Sequence, residues 1–396
     1  MSEIESALAE TFSLTQGGPF YRLQLRLGHA HEERARVLHR ALLAIVIAWL
    51  PLLVLSIIQG SAYGKQLQIP FLHDFAVNVR FLVALPILIL AESKIDSHWR
   101  LLVLHFLKSG LVKEPELPSF EAAIQRVTRL RDSLLPEAII AAVAYSSFLV
   151  GSHTELLMGN ASNWHTLGLS SSQGLSPAGW WFNIVSTPLF RFLGLRWIWR
   201  MVLWALFLWR VSRINLRLVA THTDLAAGLG FLSAGQKRFG AIVFAGGAVV
   251  AGQVGNAIAY EGATLAGMKF VLVGYGVVAI LLLVAPLLVT TPTLVKTKAQ
   301  ALLSYGALVT SHNQSFAAKW VDGHAPNGDE ILGNPDPSSL IDLGSSFQVV
   351  RQMKPVPINK STLITLAAAA ALPMVPLVVL VTPADQLLRA VLKMLV

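Results

Sequence analysis

The sequence predicts an all-α, polytopic membrane helix bundle of about seven transmembrane helices with added amphipathic helices. Three observations predict it. First, only 13% of the 396 residues are charged and 54% are hydrophobic, whereas a soluble domain carries about 25% charged residues. Second, the apolar residues gather in runs of about 20, the length of helix that crosses ~30 Å of hydrocarbon. Third, basic residues alternate between the connecting segments, as the positive-inside rule requires. This composition excludes a soluble enzyme, a collagen and a disordered chain. There are no cysteines, which excludes disulfides, thiolate metal sites and cysteine nucleophiles.

Residues 1–40 are polar and charged and are expected to be cytoplasmic. They lack the short basic start of a signal peptide, so the first span reads as an uncleaved anchor. The bundle is expected over 41–382, with apolar runs at 41–59, 75–92, 136–152, 184–209, 239–260, 270–291 and 361–381. The third is only just long enough. Pro51, Pro86, Pro188, Pro286, Pro373 and Pro376 fall inside runs and predict kinks. From the N-terminus on, the segments outside the runs carry 5, 1, 7, 0, 5, 1, 6 and 2 Lys and Arg. That alternation places the N-terminus in the cytoplasm and the C-terminus outside a bacterial inner membrane.

Within the cytoplasmic insert 93–135, residues 99–112 are apolar but short, which predicts a helix sunk in the membrane surface. In 119–135, Phe120, Ile124, Val127, Leu130 and Leu134 recur at helical spacing. In the cytoplasmic segment 292–360, residues 294–321 continue the sixth span as a helix, and 322–339 reads as an exposed loop. In the tail 383–396, Leu387, Leu388, Val391, Leu392 and Leu395 share one face, predicting an interfacial amphipathic helix.

The feature that most needs a reason is Arg191, Arg196 and Arg200 inside the fourth run, with Arg80 inside the second. A central arginine costs roughly 2.5–3.5 kcal/mol on insertion scales. Arg196 and Arg200 are four apart and share a helix face. Arg191 lies about 140° from Arg196, so only a bend near Pro188 would bring it to the same site. Glu92 and Glu137 sit at inner ends of spans, within reach of Arg200. No acid lies near the middle, so Arg196 has no evident ionic partner. Gln253 and Asn256 are the nearby polar residues of the fifth run, able to bond a substrate or a neighbouring helix.

Two readings stand. One is a substrate site for an anion or lipid headgroup, because a guanidinium fork suits phosphate and carboxylate. The other is structural: the arginines snorkel or bind carbonyls of a broken helix. Trp180 and Trp181 fit an outer aromatic belt and Trp209 an inner one, while Trp197 or Trp199 stacks on an arginine or packs. Gly252 and Gly255, among other small residues of the fifth run, permit close helix approach, inside the chain or between copies of a homo-oligomer.

The cytoplasmic segment 216–231 carries His222, Asp224, Gly228 and Gly230. His222 and Asp224 suit a proton shuttle, part of a metal site, or an Asx turn that orders the loop. Residues 230–235 have the glycine spacing of a phosphate loop, but Gln236 replaces its lysine and no strand precedes it. Together with Arg196, Trp197 and Arg200, the residues His222, Asp224, Gly228, Leu229, Gly230, Phe231 and Leu232 resemble a family of uncharacterised bacterial multi-pass inner-membrane proteins. That family's pattern has an Arg-Trp-rich span, then His-Pro-Asp, then Gly-Gly-Leu-Gly-Phe-Leu. Thr223 here replaces its proline and Ala227 its first glycine. The resemblance implies a multi-pass inner-membrane protein and carries no known activity.

His29, His31 and Glu32, and the external His153, Glu155 and His165, are weaker metal or proton candidates. Residues 174–178 miss G-x-S-x-G by their last position. No metal or cofactor is expected. The expected partners are membrane lipids, anionic ones included, and not nucleic acid. The functional expectation is transport or channel-like handling of an anionic or amphipathic solute at the intramembrane arginines. The alternatives are a membrane-embedded enzyme or lipid modifier using His222 and Asp224, and a scaffold or signalling partner.

Overall fold

The computed structural model describes residues 12–26, 34–64, 67–154, 163–166, 174–323 and 330–381. The chain is 77% helical, with no strand among the described residues. A short helix α1 (Gly18–Arg26) precedes α2 (Val37–Ile58), α3 (Phe75–Lys108), α4 (Leu117–Asp132), α5 (Leu134–Thr154) and α6 (Pro177–Val211). Then come α7 (Phe231–Tyr260), α8 (Lys269–Leu288), α9 (Thr291–Phe316), α10 (Asp336–Gln352) and α11 (Lys360–Leu380). Helices α2, α3, α6, α7, α8 and α11 are long and apolar enough to cross a membrane, as a multi-pass membrane protein requires.

The third expected span falls in α5, whose Leu134–Ser146 part is a shorter apolar helix. At its start Glu137 is bonded to Phe20, and beyond its end Trp164 is bonded to Asp74. Asp74 at the start of α3 and the Glu92–Asp96 region within it stand about 30 Å apart at 1.5 Å per residue. One end of the bundle therefore gathers 67–75, 163–166 and the end of α7. The other gathers the basic connecting segments, through bonds such as Arg217 N–H to Leu111 O and Lys354 N–H to Leu225 O.

The prolines act on the turn before them. Arg80–Ala84 and Phe182–Ser186 are π-helical, ending two residues before Pro86 and Pro188. A proline ring repels the carbonyl four residues back and offers no N–H to it, so the turn widens. Helix α2 breaks at Trp49, ahead of Pro51. The Ile47 carbonyl, four residues before Pro51, accepts from Trp181 Nε1 at 3.0 Å, and the next, Ala48 O, from Ser186 Oγ at 2.6 Å. A 3-10 turn at Leu372–Met374 similarly interrupts α11.

Two expectations need correction. Residues 99–112 are no surface helix: up to Lys108 they continue α3 without a break. Trp99, Val103 and Phe106 are buried against Phe120, Trp204 and Phe207 in the main core. The polar stretch after Glu92 is a change of composition within the helix, not where it stops. The N-terminal segment packs onto the bundle, with Phe12 and Leu14 buried in that same core. The loop expected at 322–339 also ends earlier, at the start of α10. The tail 383–396 lies outside the described residues. Facing outward, Val273, Val278 and Leu281 of α8 are exposed, as a lipid-facing surface demands.

Candidate functional site

The fourth-run arginines meet two carboxylates near the basic end of the bundle. Arg196 and Arg200 lie one turn apart on α6 and are both buried. Arg200 Nη2 donates to Glu92 Oε1 at 2.7 Å, and Arg40 of α2 donates to Glu92 Oε2. The expectation that Arg196 lacks an ionic partner is corrected. Its Nη1 lies 3.9 Å from Glu92 Oε1, and its Nε 3.5 Å from Glu137 Oε1. Glu92 and Glu137 stand at the ends of their apolar runs in sequence, yet α6 passes between α3 and α5 at that height.

Aromatic rings complete the enclosure. The Arg196 guanidinium lies 4.8 Å from the Phe20 ring, and that of Arg200 lies 4.6 Å from the Trp197 ring, as in cation–π pairs. Trp197 is itself fixed, donating from Nε1 to Leu88 O at 3.1 Å. The cluster therefore holds three guanidiniums on two carboxylates. Arg200 Nη1 and Arg40 Nε are buried without an acceptor. Unmet buried donors are costly, and more so when charged.

A strap from the N-terminal segment closes this cluster on the basic side. Asp96, one turn beyond Glu92, is buried. Its Oδ1 accepts from Ser13 Oγ at 2.7 Å and from the Leu14 and Thr15 N–H groups at 3.0 Å each, and Arg100 donates to its Oδ2 at 3.0 Å. Asp132 accepts from the Gly18 N–H and Glu137 from the Phe20 N–H, at 2.8 and 2.7 Å. Burial alone would raise the Asp132 carboxyl. The Arg131 hydrogen bond and charge, the Gly18 N–H and Arg22 together hold it below its usual range. Sequence reasoning missed the strap and Asp96. The one available signal was the Asp96–Arg100 pair, four apart on a helix.

The other arginines lie elsewhere. Arg191 is exposed, because the widened turn of α6 ends at Ser186 and the helix runs on without a break from Thr187. No bend turns Arg191 toward Arg196. Arg80 is 12 residues, about 18 Å, back along α3 from Glu92. Its guanidinium lies 6.0 and 5.9 Å from the Phe182 and Phe190 rings. Gln253 is exposed. Asn256 belongs to the opposite end, where its Oδ1 accepts from the Phe75 N–H at 2.9 Å and its Nδ2 donates to Asp74 Oδ1 at 2.8 Å. Of the six expected substrate-binding residues, only Arg196 and Arg200 come together.

Gly252 and Gly255 are occupied within the chain. A Cβ at Gly252 would stand 2.9 Å from Phe75 O, and one at Gly255 3.5 Å from the Phe75 ring. The close approach they permit joins α7 to the start of α3.

The opposite end has its own buried acid. Asp74 caps α3 by accepting from the Val77 N–H, and it also accepts from Trp164 Nε1 at 3.0 Å. His165 stacks on Trp164 and lies 4.0 Å from Asp74 Oδ2. Burial pushes His165 down to about 4, against the pull of Asp74 and with the help of Arg80. The side chain of His153 and the whole of Glu155, His29, His31 and Glu32 lie outside the described residues.

In the loop after α6, Asp224 Oδ1 accepts from the Ala226 and Gly228 N–H groups, and Oδ2 from the Gly230 N–H at 2.8 Å. His222 is half-exposed, its Nδ1 3.0 Å from Asp224 Oδ1. The carboxylate thus orders the loop as an Asx-type anchor. Gly230 is required there, since a Cβ would meet Asp224 at 2.8 Å. Among the described residues no three His, Asp or Glu gather as a metal site. Compared with family models, curated proteins and solved structures, the chain finds no match.

Proposed function

We propose that this protein sits in a bacterial inner membrane, with its N-terminus cytoplasmic and its C-terminus external. There it handles an anionic or amphipathic solute, in the manner of a transporter or channel, at Arg40, Arg196 and Arg200. One observation carries the reading: three guanidiniums, two of them buried, share two carboxylates, and Arg200 Nη1 and Arg40 Nε face no acceptor. A carboxylate or phosphate oxygen supplies both the missing acceptor and the missing negative charge. Arginine suits this role because its fork is fixed and stays charged when buried. The strap through Phe20 seals the cluster from the basic side, so passage of a solute requires the strap to move. The basic connecting segments gathered at that end support the orientation. The resemblance of 196–200 and 222–232 to inner-membrane proteins supports the compartment.

The test is flux in proteoliposomes. A panel of inorganic phosphate, small carboxylates and acidic amphiphiles should include at least one species that the protein moves. Arg196→Gln and Arg200→Gln should each abolish that flux while the elution profile of the purified protein stays unchanged. If every anion tested moves as fast through the variants as through the parent, the site is wrong. Orientation is tested separately by single cysteines, for which the chain offers a clean background. Asn160→Cys and Met394→Cys should label from outside, and Thr223→Cys and Glu330→Cys from inside.

A further inference from the structure

At the end of α6, away from the arginine cluster, a second cationic feature faces outward. Ile198, Val202 and Trp209 are each 41–49% exposed. Their spacings of four and seven residues keep them within about 40° on one face of the helix. The face runs down an apolar stripe to an exposed tryptophan, the residue that marks a membrane interface. Just past the helix end, the Arg213 guanidinium lies 4.6 Å from the Trp209 ring. Arg210 is adjacent, 6.0 Å from the same ring, and its buried Nε has no acceptor.

These groups line a cavity of about 360 Å³ between the end of α6 and the first turns of α4. Ser119 and Glu116 line its other wall. Two guanidiniums and a hydroxyl thus stand against a single carboxylate. Along one face the order is apolar stripe, interfacial ring, cationic pocket, which is the order of acyl chain, glycerol and phosphate in a phospholipid. We infer that this pocket is a binding site for the headgroup of an anionic phospholipid, with an acyl chain lying along Ile198 and Val202. The Arg210 and Arg213 guanidiniums, which line the cavity, donate to its phosphate, and Ser119 is placed to donate a further bond. The surplus positive charge favours a headgroup with net negative charge over a zwitterionic one. The site is separate from the Arg196–Arg200 cluster and does not depend on the function assigned there.

The experiment titrates delipidated full-length protein in neutral detergent with phosphatidylglycerol, phosphatidylcholine or inorganic phosphate. Bound lipid is counted by native mass spectrometry, and thermal unfolding is followed in parallel. Phosphatidylglycerol should bind and raise the unfolding temperature. In Arg210→Gln/Arg213→Gln its affinity should fall about 30-fold, at roughly one interfacial charge's contribution per arginine. Arg351→Gln, at an exposed position of α10 outside both sites, should leave that affinity unchanged. Both arginines are partly or fully exposed, so the double variant is expected to fold, and Arg213→Lys serves as a milder second variant with a smaller loss. Equal binding of phosphatidylcholine overturns the proposal, as does full phosphatidylglycerol affinity in the double variant. Inorganic phosphate that alone reproduces the thermal shift also overturns it, because the occupant is then a free anion.

Discussion

The bundle buries charge at both ends, but on opposite terms. At one end Asp74 is a single acid whose donors are all accounted for: the Val77 N–H, Trp164 Nε1 and Asn256 Nδ2. They tie α3, the 163–166 segment and α7 together, and the acid serves as a fastening. At the other end cations outnumber acids, and two guanidinium nitrogens stay unmet. A fully satisfied polar network rigidifies, whereas a half-satisfied one is costly unless something else completes it. That contrast separates architecture from a site. It also shows why intramembrane arginines cannot be assigned as one group: Arg80 and Arg191 lie outside the cluster, and Arg40, from the edge of the first span, lies within it.

The largest effect should come from breaking the cluster at its centre. Glu92→Gln keeps the shape but removes the charge shared by Arg40, Arg196 and Arg200. Breaking a buried pair by deleting one partner costs about 3–5 kcal/mol. Denaturant or thermal unfolding in detergent should show a loss of that size. A cost below about 1 kcal/mol would mean that water already reaches these charges.

At the opposite end, Asp74→Asn tests the fastening. The amide oxygen can keep either the Val77 and Asn256 bonds or the Trp164 bond, but in both cases its NH2 is turned toward a buried donor. Leaving one buried donor unmet costs about 1–3 kcal/mol. Solute flux should survive this substitution, although it does not survive Arg200→Gln. Equal loss of flux in both variants would erase the distinction between the two ends.

A graded effect belongs to the same end. His165 is held down to about 4 by burial, against about 6.5 in an unfolded chain. Between those values the unfolded state binds a proton that the native state refuses, so stability is full above pH 6.5 and declines as pH falls toward 4. The unfolding temperature should drop through that window, and His165→Gln should flatten the slope. A slope unchanged in the variant would assign the acid sensitivity to other groups.

The runs of apolar residues made the helices legible, because hydrocarbon imposes length and composition directly on the sequence. The shared face of Arg196 and Arg200 was legible too, since helical spacing alone fixes it. The strap was not. Residues 12–22 have no periodicity, and their bonds reach Asp96 and Glu137 about 80 and 117 positions away. Such pairings follow from tertiary packing and leave no local mark. The continuation of α3 was misread because polar residues after Glu92 look like a boundary. Past its apolar run a helix goes on wherever a further core receives it, here around Trp99 and Phe106.

The smallest expected effect is a gain, in the loop anchored by Asp224. Leu225 and Ala227 have φ of 58° and 54°, a left-handed conformation that costs an L-residue roughly 1–2 kcal/mol and glycine almost nothing. The three bonds to Asp224 hold the turn closed, and Lys354 N–H binds the Leu225 carbonyl from outside it. Ala227 is buried, however, so replacing it also forfeits one methyl group's packing. Ala227→Gly should therefore stabilise by at most about 1 kcal/mol, read as a small rise in unfolding temperature. Asp224→Ala should lower that temperature, and in its background the gain from glycine should shrink, because the loop is then free to relax. If Ala227→Gly instead destabilises, the methyl contact outweighs the backbone strain, and the alanine is there for packing.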